Sequence, residues 1–325
     1  MGKSLFKFLC IGGLIMTAAM NTGCSTTSNE AKYAGQVKTE NKAPSNEPPS
    51  AEEMKAEKIM RNDDGIAVYP PKTYMNNHWD LTPGRLVHTN YYSSVCEKNK
   101  NIAVLLPPDY SEEKKYPVLY VFHGYWGNEM SMVGTQVLIS NMINMGDAKE
   151  MIVVYPFIYS SKTKAQCTGF GEPEDWAAYD NCINEVVEDV MPWLKTQFSV
   201  LEGRENTAVC GFSMGGREAL SIGVAHPELF GYVAAMAPAP GVIPNTMHPG
   251  QFKEEDFKFP EGLTPEVLMI CVGDADGVVT FYPSTYHAVL KKNGVEHFWW
   301  MVPGSDHGDP AISSGLFNFC ERIFK

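Results

Sequence analysis

The chain has 325 residues, 44% of them apolar and 11% aromatic, enough to bury one large core or two small ones. Its formal charge of −12 argues against electrostatic binding to nucleic acid or to an anionic membrane surface. The eight cysteines are scattered, no metal-type cysteine or histidine spacing occurs, and neither a P-loop nor a dinucleotide glycine fingerprint is present, so no cofactor or metal is expected.

In chain order, Lys3 and Lys7 flank the start of the apolar run Phe8 to Met20, the pattern of an export signal. Asn21-Thr22-Gly23-Cys24 follows and resembles a bacterial lipobox, with small residues ahead of a cysteine. The expectation is a lipoprotein-type signal over 1–23, lipidation of Cys24, and an exported protein held to a membrane by that anchor. Residues 24–64 read as a disordered tether, because Ser, Thr, Asn, Glu, Lys and Pro leave little to bury. Ser50 and Glu53 form a capping-box pair ahead of one possible short helix there.

Residues 65–325 alternate short β-rich runs with helical stretches and read as one domain. Arg85 to Val95 and Asn101 to Pro107 are close enough in sequence to pair antiparallel at a sheet edge. Six denser runs begin at Pro117, Met151, Thr207, Tyr232, Val267 and Phe298. Runs apolar on both faces are what a parallel sheet covered by helices requires. Between them, Ile183, Val186, Val187, Val190 and Leu194 recur at helical spacing, and a last helix closes the chain. The order implies an α/β fold with a mostly parallel central sheet and helices on both faces.

The stretch Asn206 to Leu220 (NTAVCGFSMGGREAL) organises the rest. A strand turning into a helix around G-x-S-x-G is a nucleophile elbow, in which Ser213 is lifted out of a strained turn. A serine hydroxyl needs an imidazole to take its proton and a carboxylate to hold that imidazole. In elbow folds the acid and then the histidine follow later strands. Val267–Val272 runs into Gly273-Asp274-Ala275-Asp276, which offers Asp274 and Asp276 as the acid. Phe298–Val302 runs into Pro303-Gly304-Ser305-Asp306-His307, which offers His307 as the base. His287 and His297, in a helix and at a strand start, read as packing or surface residues. Met214 and Tyr125 are the expected oxyanion donors, since one N–H must follow the nucleophile and one must come from an earlier strand's loop. His123 reads as a structural hydrogen-bonding residue.

The motifs HGYWGNE, GFSMGGREAL, GDADG and PGSDHG together resemble the esterase D-like branch of the α/β-hydrolases, with its feruloyl, acetyl-xylan and enterochelin-type esterases. The resemblance spans residues 101–325 and implies an eight-stranded sheet and an acyl-enzyme on Ser213. It also favours Asp276 over Asp274 by a G-x-x-D pattern. The implied function is a serine carboxylic-ester hydrolase removing feruloyl or acetyl groups from plant polysaccharide or oligosaccharides. Its competitors are a siderophore or small-ester esterase, an acyltransferase, and a non-catalytic glycan-binding lipoprotein. The expected partner is an acylated glycan or small ester, with Trp126 and Trp176 as candidate substrate-binding rings. Cys167 and Cys182 flank a Gly- and Pro-rich loop that a disulfide would restrain.

Overall fold

A computed structural model describes residues 49–325 apart from Phe170. The signal segment, Cys24 and the tether up to residue 48 lie outside the described residues. Eight strands make one sheet: β1 (Arg85–Ser93), β2 (Lys98–Leu106), β3 (Val118–Phe122), β4 (Ile152–Pro156), β5 (Thr207–Phe212), β6 (Tyr232–Met236), β7 (Val267–Gly273) and β8 (Phe298–Val302). Their order is β1-β2-β4-β3-β5-β6-β7-β8. β1 and β2 form the antiparallel edge pair, β2 meets β4 antiparallel, and every later pairing is parallel. Each strand falls on a run expected from the sequence, and the sheet is that of an α/β-hydrolase.

The helices are α1 (Ala51–Ala56), α2 (Gln136–Met145), α3 (Pro173–Asp180), α4 (Cys182–Glu185), α5 (Met191–Gln197), α6 (Met214–Ala225), α7 (Tyr282–Lys292) and α8 (Ala311–Cys320). Side chains alternate along a strand, so the fully buried strands feed two cores. Val118, Tyr120 and Phe122 of β3 enter one core with Tyr179, Val190, Leu220 and Tyr286 from the helices on that side. Leu119 and Val121 enter the other, with Leu138, Met142, Leu316 and Phe319 from α2 and α8. The helix expected around Ile183 to Leu194 is broken into α4, a π-helical turn over Val186–Val190, and α5. Pro192 sits in the first turn of α5. It has no N–H to donate back and its ring crowds the preceding turn, so the chain passes it by widening the turn.

The folded body starts earlier than residue 65. The Ser50–Glu53 capping box is present, and Met54 of α1 is buried among Ile66, Tyr74 and the α8 residues. Glu57 accepts the backbone N–H groups of Lys72 and Thr73 at 2.8 and 2.9 Å, and Arg61 pairs with Glu321. Residues 49–64 therefore pack on the sheet's helix layer rather than belonging to the tether. One buried methionine docks a short helix when its charged neighbours find partners on the body it covers.

Candidate active site

At the end of β5 the chain turns through Ser213, whose φ of 55° and ψ of −116° are strained for a non-glycine residue. Glycines on either side permit it. A Cβ on Gly211 would lie 2.3 Å from the carbonyl of Gly215, and one on Gly215 would lie 2.3 Å from the carbonyl oxygen of Phe122. The turn is held by Ser213 N–H donating to Met236 O at 2.9 Å and by Ala239 N–H donating to Ser213 O at 2.9 Å.

The loops after β7 and β8 bring the other two groups to it. His307 Nε2 is 2.9 Å from Ser213 Oγ, and His307 Nδ1 is 2.7 Å from Asp276 Oδ2. Asp276 is buried, and its Oδ1 accepts the backbone N–H groups of Val278 and Val279 at 2.9 and 3.0 Å. That leaves Oδ2 for the imidazole and fixes its direction. Asp274 does different work. It is exposed, and its Oδ1 accepts Gly304 N–H at 2.7 Å, which ties the β7 loop to the β8 loop. His287 and His297 hydrogen-bond each other at 2.8 Å, and His297 immediately precedes β8, at the opposite end of the strand from His307.

The loop after β3 lies against Ser213. A Cβ on Gly124 would be 3.4 Å from Ser213 Cβ, so this backbone passes as close as a side chain allows. His123 anchors the loop. Its Nδ1 donates to Gly124 O at 2.7 Å and its Nε2 accepts Ile158 N–H at 3.1 Å, the only tautomer that serves both bonds. Burial pushes its pKa down to about 4, which keeps that lone pair available. Tyr125 follows, its Oη donating to Gly169 O at 2.7 Å. Met214 opens α6, where the first N–H groups have no intrahelical acceptor.

The two tryptophans part company here. Trp126 is 65% exposed at the mouth. Trp176 is buried, with the Arg217 guanidinium 5.0 Å above its ring, His248 5.1 Å away and Tyr125 at 6.5 Å. It supports the wall from behind, so its candidate contact with substrate is not what the structure places there. Cys167 and Cys182 are both free and buried, and Cys167 Sγ accepts from Tyr179 Oη at 3.6 Å, so no disulfide joins them.

Sequence reasoning passed over the charged cluster under this wall. Arg217 is fully buried, pairs with Glu218, and reaches Asp180 Oδ1 at 2.6 Å and Gly241 O at 3.3 Å. Gln251 donates to Asp180 at 2.9 Å and to Glu218 at 3.0 Å. Burial outweighs the pull of Arg217 and raises the Glu218 carboxyl to about 7. The cluster binds α3, α6 and the loop after β6 into one unit behind Ser213. A second clamp is Asp175, buried, which accepts from Tyr159 Oη and from the N–H groups of Thr168 and Gly169 at 2.9 and 3.1 Å. Burial works against the carboxylate, but these bonds and Lys164 hold its pKa below the usual range. The signal for the first cluster was an arginine and a glutamate on the helix that starts at the nucleophile. Among the described residues no group of three His, Cys, Asp or Glu side chains is arranged to hold a metal ion.

An α/β-hydrolase sheet that sets a serine elbow, an imidazole and a buried carboxylate in line has the arrangement of a serine hydrolase. The family profile described as putative esterase matches residues 93–310, and the chain belongs to that family. A CE1 ferulic acid esterase from Anaeromyces mucronatus, solved with ferulic acid bound, superposes with a TM-score of 0.76 at 40% identity, covering 80% of this chain and 97% of that one. An endo-1,4-β-xylanase/feruloyl esterase of Xylanibacter ruminicola is 29% identical over 254 residues, covering 76% of this chain. The chain spans only 32% of the length of that relative. An S-formylglutathione hydrolase from Agrobacterium tumefaciens, 16% identical with a TM-score of 0.56 over 75% of this chain and 97% of its own, shares the fold alone.

Proposed function

We propose that the protein is a serine carboxylic-ester hydrolase that removes feruloyl or acetyl groups from plant polysaccharide or its oligosaccharides. The observation that carries the chemistry is the line Ser213 Oγ, His307 and Asp276, with contacts of 2.9 and 2.7 Å. Ser213 Oγ attacks the ester carbonyl while its proton passes to His307 Nε2. The tetrahedral oxyanion is stabilised by the N–H groups of Met214 and Tyr125. Collapse breaks the C–O bond to the sugar, whose oxygen takes the proton from His307, and the acyl group stays on Ser213. Water, deprotonated by His307, then releases the acid and restores the serine. Asp276 holds Nδ1–H throughout, so Nε2 always faces the serine with the lone pair or the proton the step needs.

The acyl-glycan reading is supported by the ferulic acid esterase at 40% identity and by the xylanase/feruloyl esterase relative. The lipobox-like Asn21-Thr22-Gly23-Cys24 supports an exported enzyme anchored through Cys24 on a membrane. The test is turnover on feruloylated, acetylated and simple aryl esters by the protein and its Ser213→Ala form. Hydrolysis of p-nitrophenyl acetate alone would discard the glycan reading, and equal activity of the two forms would discard the mechanism.

A further inference from the structure

Trp126 combines a strained backbone with a largely exposed ring. Its φ of 59° puts a bulky residue in the left-handed region. Its indole is 65% exposed, so an apolar ring is left in water. The geometry is nevertheless held firmly. Gly127 N–H donates to Gly124 O at 3.1 Å to close the turn, and Trp126 N–H donates to Tyr179 Oη at 3.2 Å. Strain and exposure that the surrounding structure enforces are the marks of a functional position.

The ring borders a groove of about 330 Å³ whose lining includes Asn101, Asn128, Phe157, Gln166 and Tyr179. Among the described residues neither lysine nor arginine lines it. Glu129, its one acid, is buried and bonded to His88 at 2.9 Å. The Asn101 and Gln166 side chains are exposed, and among the described residues neither has a protein hydrogen-bond partner. Among the described residues the groove thus offers an aromatic face, two amides without protein partners and no free cation. An amide carries an acceptor and two donors in one plane, which suits neighbouring hydroxyls, while an indole suits the C–H face of a sugar ring. A carboxylate or phosphate would find no cation to pair with, and a bare aryl ring would strand the amides.

The position fits as well. Trp126 lies two residues past Gly124, where an added Cβ would come within 3.4 Å of Ser213 Cβ. Asn101 sits beside the β2–β4 pair that ends at Ile102 and Pro156, at the end of β4 from which the loop carrying Gln166 leaves. We propose that this groove is the subsite for the neutral sugar ring that bears the ester, with Trp126 as its platform and Asn101 and Gln166 as its hydroxyl partners. This rests on the polysaccharide-esterase reading above for its place in the reaction, but not for its ligand.

Two measurements test it. In the first, kcat/KM is compared on methyl ferulate and on a feruloylated arabinoxylo-oligosaccharide. Trp126→Ala should cut the ratio of oligosaccharide to methyl ester by about tenfold, chiefly through KM, with Trp126→Phe recovering part of it. Gln166→Ala should cut it by about threefold. Equal loss on both substrates, or none, would overturn the assignment. In the second, inactive Ser213→Ala protein is titrated calorimetrically with the same oligosaccharide lacking its acyl group. Binding that Trp126→Ala abolishes supports the subsite even if the parent enzyme cleaves neither feruloyl ester, a result that would count against the acyl reading alone. No binding at millimolar sugar overturns the subsite whatever the esterase activity proves to be.

Discussion

Asp276→Asn is the substitution that most directly tests the catalytic line. The asparagine oxygen must keep the place of Oδ1, because Val278 and Val279 N–H groups point at it from 2.9 and 3.0 Å. The amide nitrogen then falls where Oδ2 was, 2.7 Å from His307 Nδ1. Two N–H groups cannot face each other, so the imidazole shifts its proton to Nε2. There it points at Ser213 and leaves no lone pair to accept the serine proton. Loss of the working tautomer should lower kcat by roughly 10,000-fold, about 5 kcal/mol of barrier, with little change in melting temperature. Asp276→Ala should lose as much activity and also melt lower, because Val279 N–H is buried and would lose its acceptor, a cost of about 1–3 kcal/mol. Asp274→Asn keeps an oxygen for Gly304 N–H and should stay within about twofold of the parent, as an exposed change that preserves its hydrogen bond usually does. The assay is p-nitrophenyl acetate turnover at pH 8 beside thermal melts. If Asp274→Asn loses more than Asp276→Asn, or if Asp276→Asn keeps a tenth or more of the activity, the acid has been misplaced.

Three further outcomes are expected. His123 has a folded pKa near 4, below its ordinary 6.5, so its contribution is complete above pH 6.5 and is lost as pH falls towards 4. That shift corresponds to about 3 kcal/mol, and His123→Gln, less stable at pH 7, should show a flatter urea-unfolding stability between pH 6.5 and 4; an unchanged slope would remove the argument. Arg217→Met should cost about 3–5 kcal/mol because Asp180 and Glu218 lose their cation, whereas Glu218→Gln should cost far less, since burial already favours the neutral acid. Equal melting temperatures for the two variants would deny the cluster its role. Finally, Cys24→Ala expressed in a bacterial host should move the protein from the membrane fraction to the soluble or secreted one, and unchanged partitioning would discard the anchor.

What was legible in the sequence is what short stretches of chain decide by themselves. A strand buried on both faces must be apolar throughout, so β3 to β7 stood out as dense runs, while the largely exposed edge strand β1 was legible only through its closeness in sequence to β2. The elbow is a contiguous motif, and the acid and base sit at the ends of strands whose order the fold constrains. What was illegible depends on partners far away in sequence. Trp126 and Trp176 both lie near glycines in loop-like segments, and nothing within either stretch says which ring faces water. The answer for Trp176 is Arg217, 41 residues on by the numbering, which lies over its ring. Cys167 and Cys182 bracket a loop that a disulfide would restrain, yet Asp175 clamps that loop from within through backbone N–H groups.

The same reasoning explains where selectivity should reside. Ser213, Asp276 and His307 are positioned by their own strands and by adjacent backbone, so the bond-breaking geometry needs little from the rest of the surface. The walls around them are loops, and loops keep one shape only when something outside them supplies the hydrogen bonds that a sheet would. Here the Asp180–Arg217–Glu218–Gln251 cluster supplies them on one side, and Asp175 with Tyr125 Oη on Gly169 supplies them on the other. A charge buried beneath a loop is costly unless each partner is in place, which holds the wall to one arrangement. Substitutions in these clusters should therefore alter which ester is accepted, or unfold the wall outright, before they alter the chemistry at Ser213.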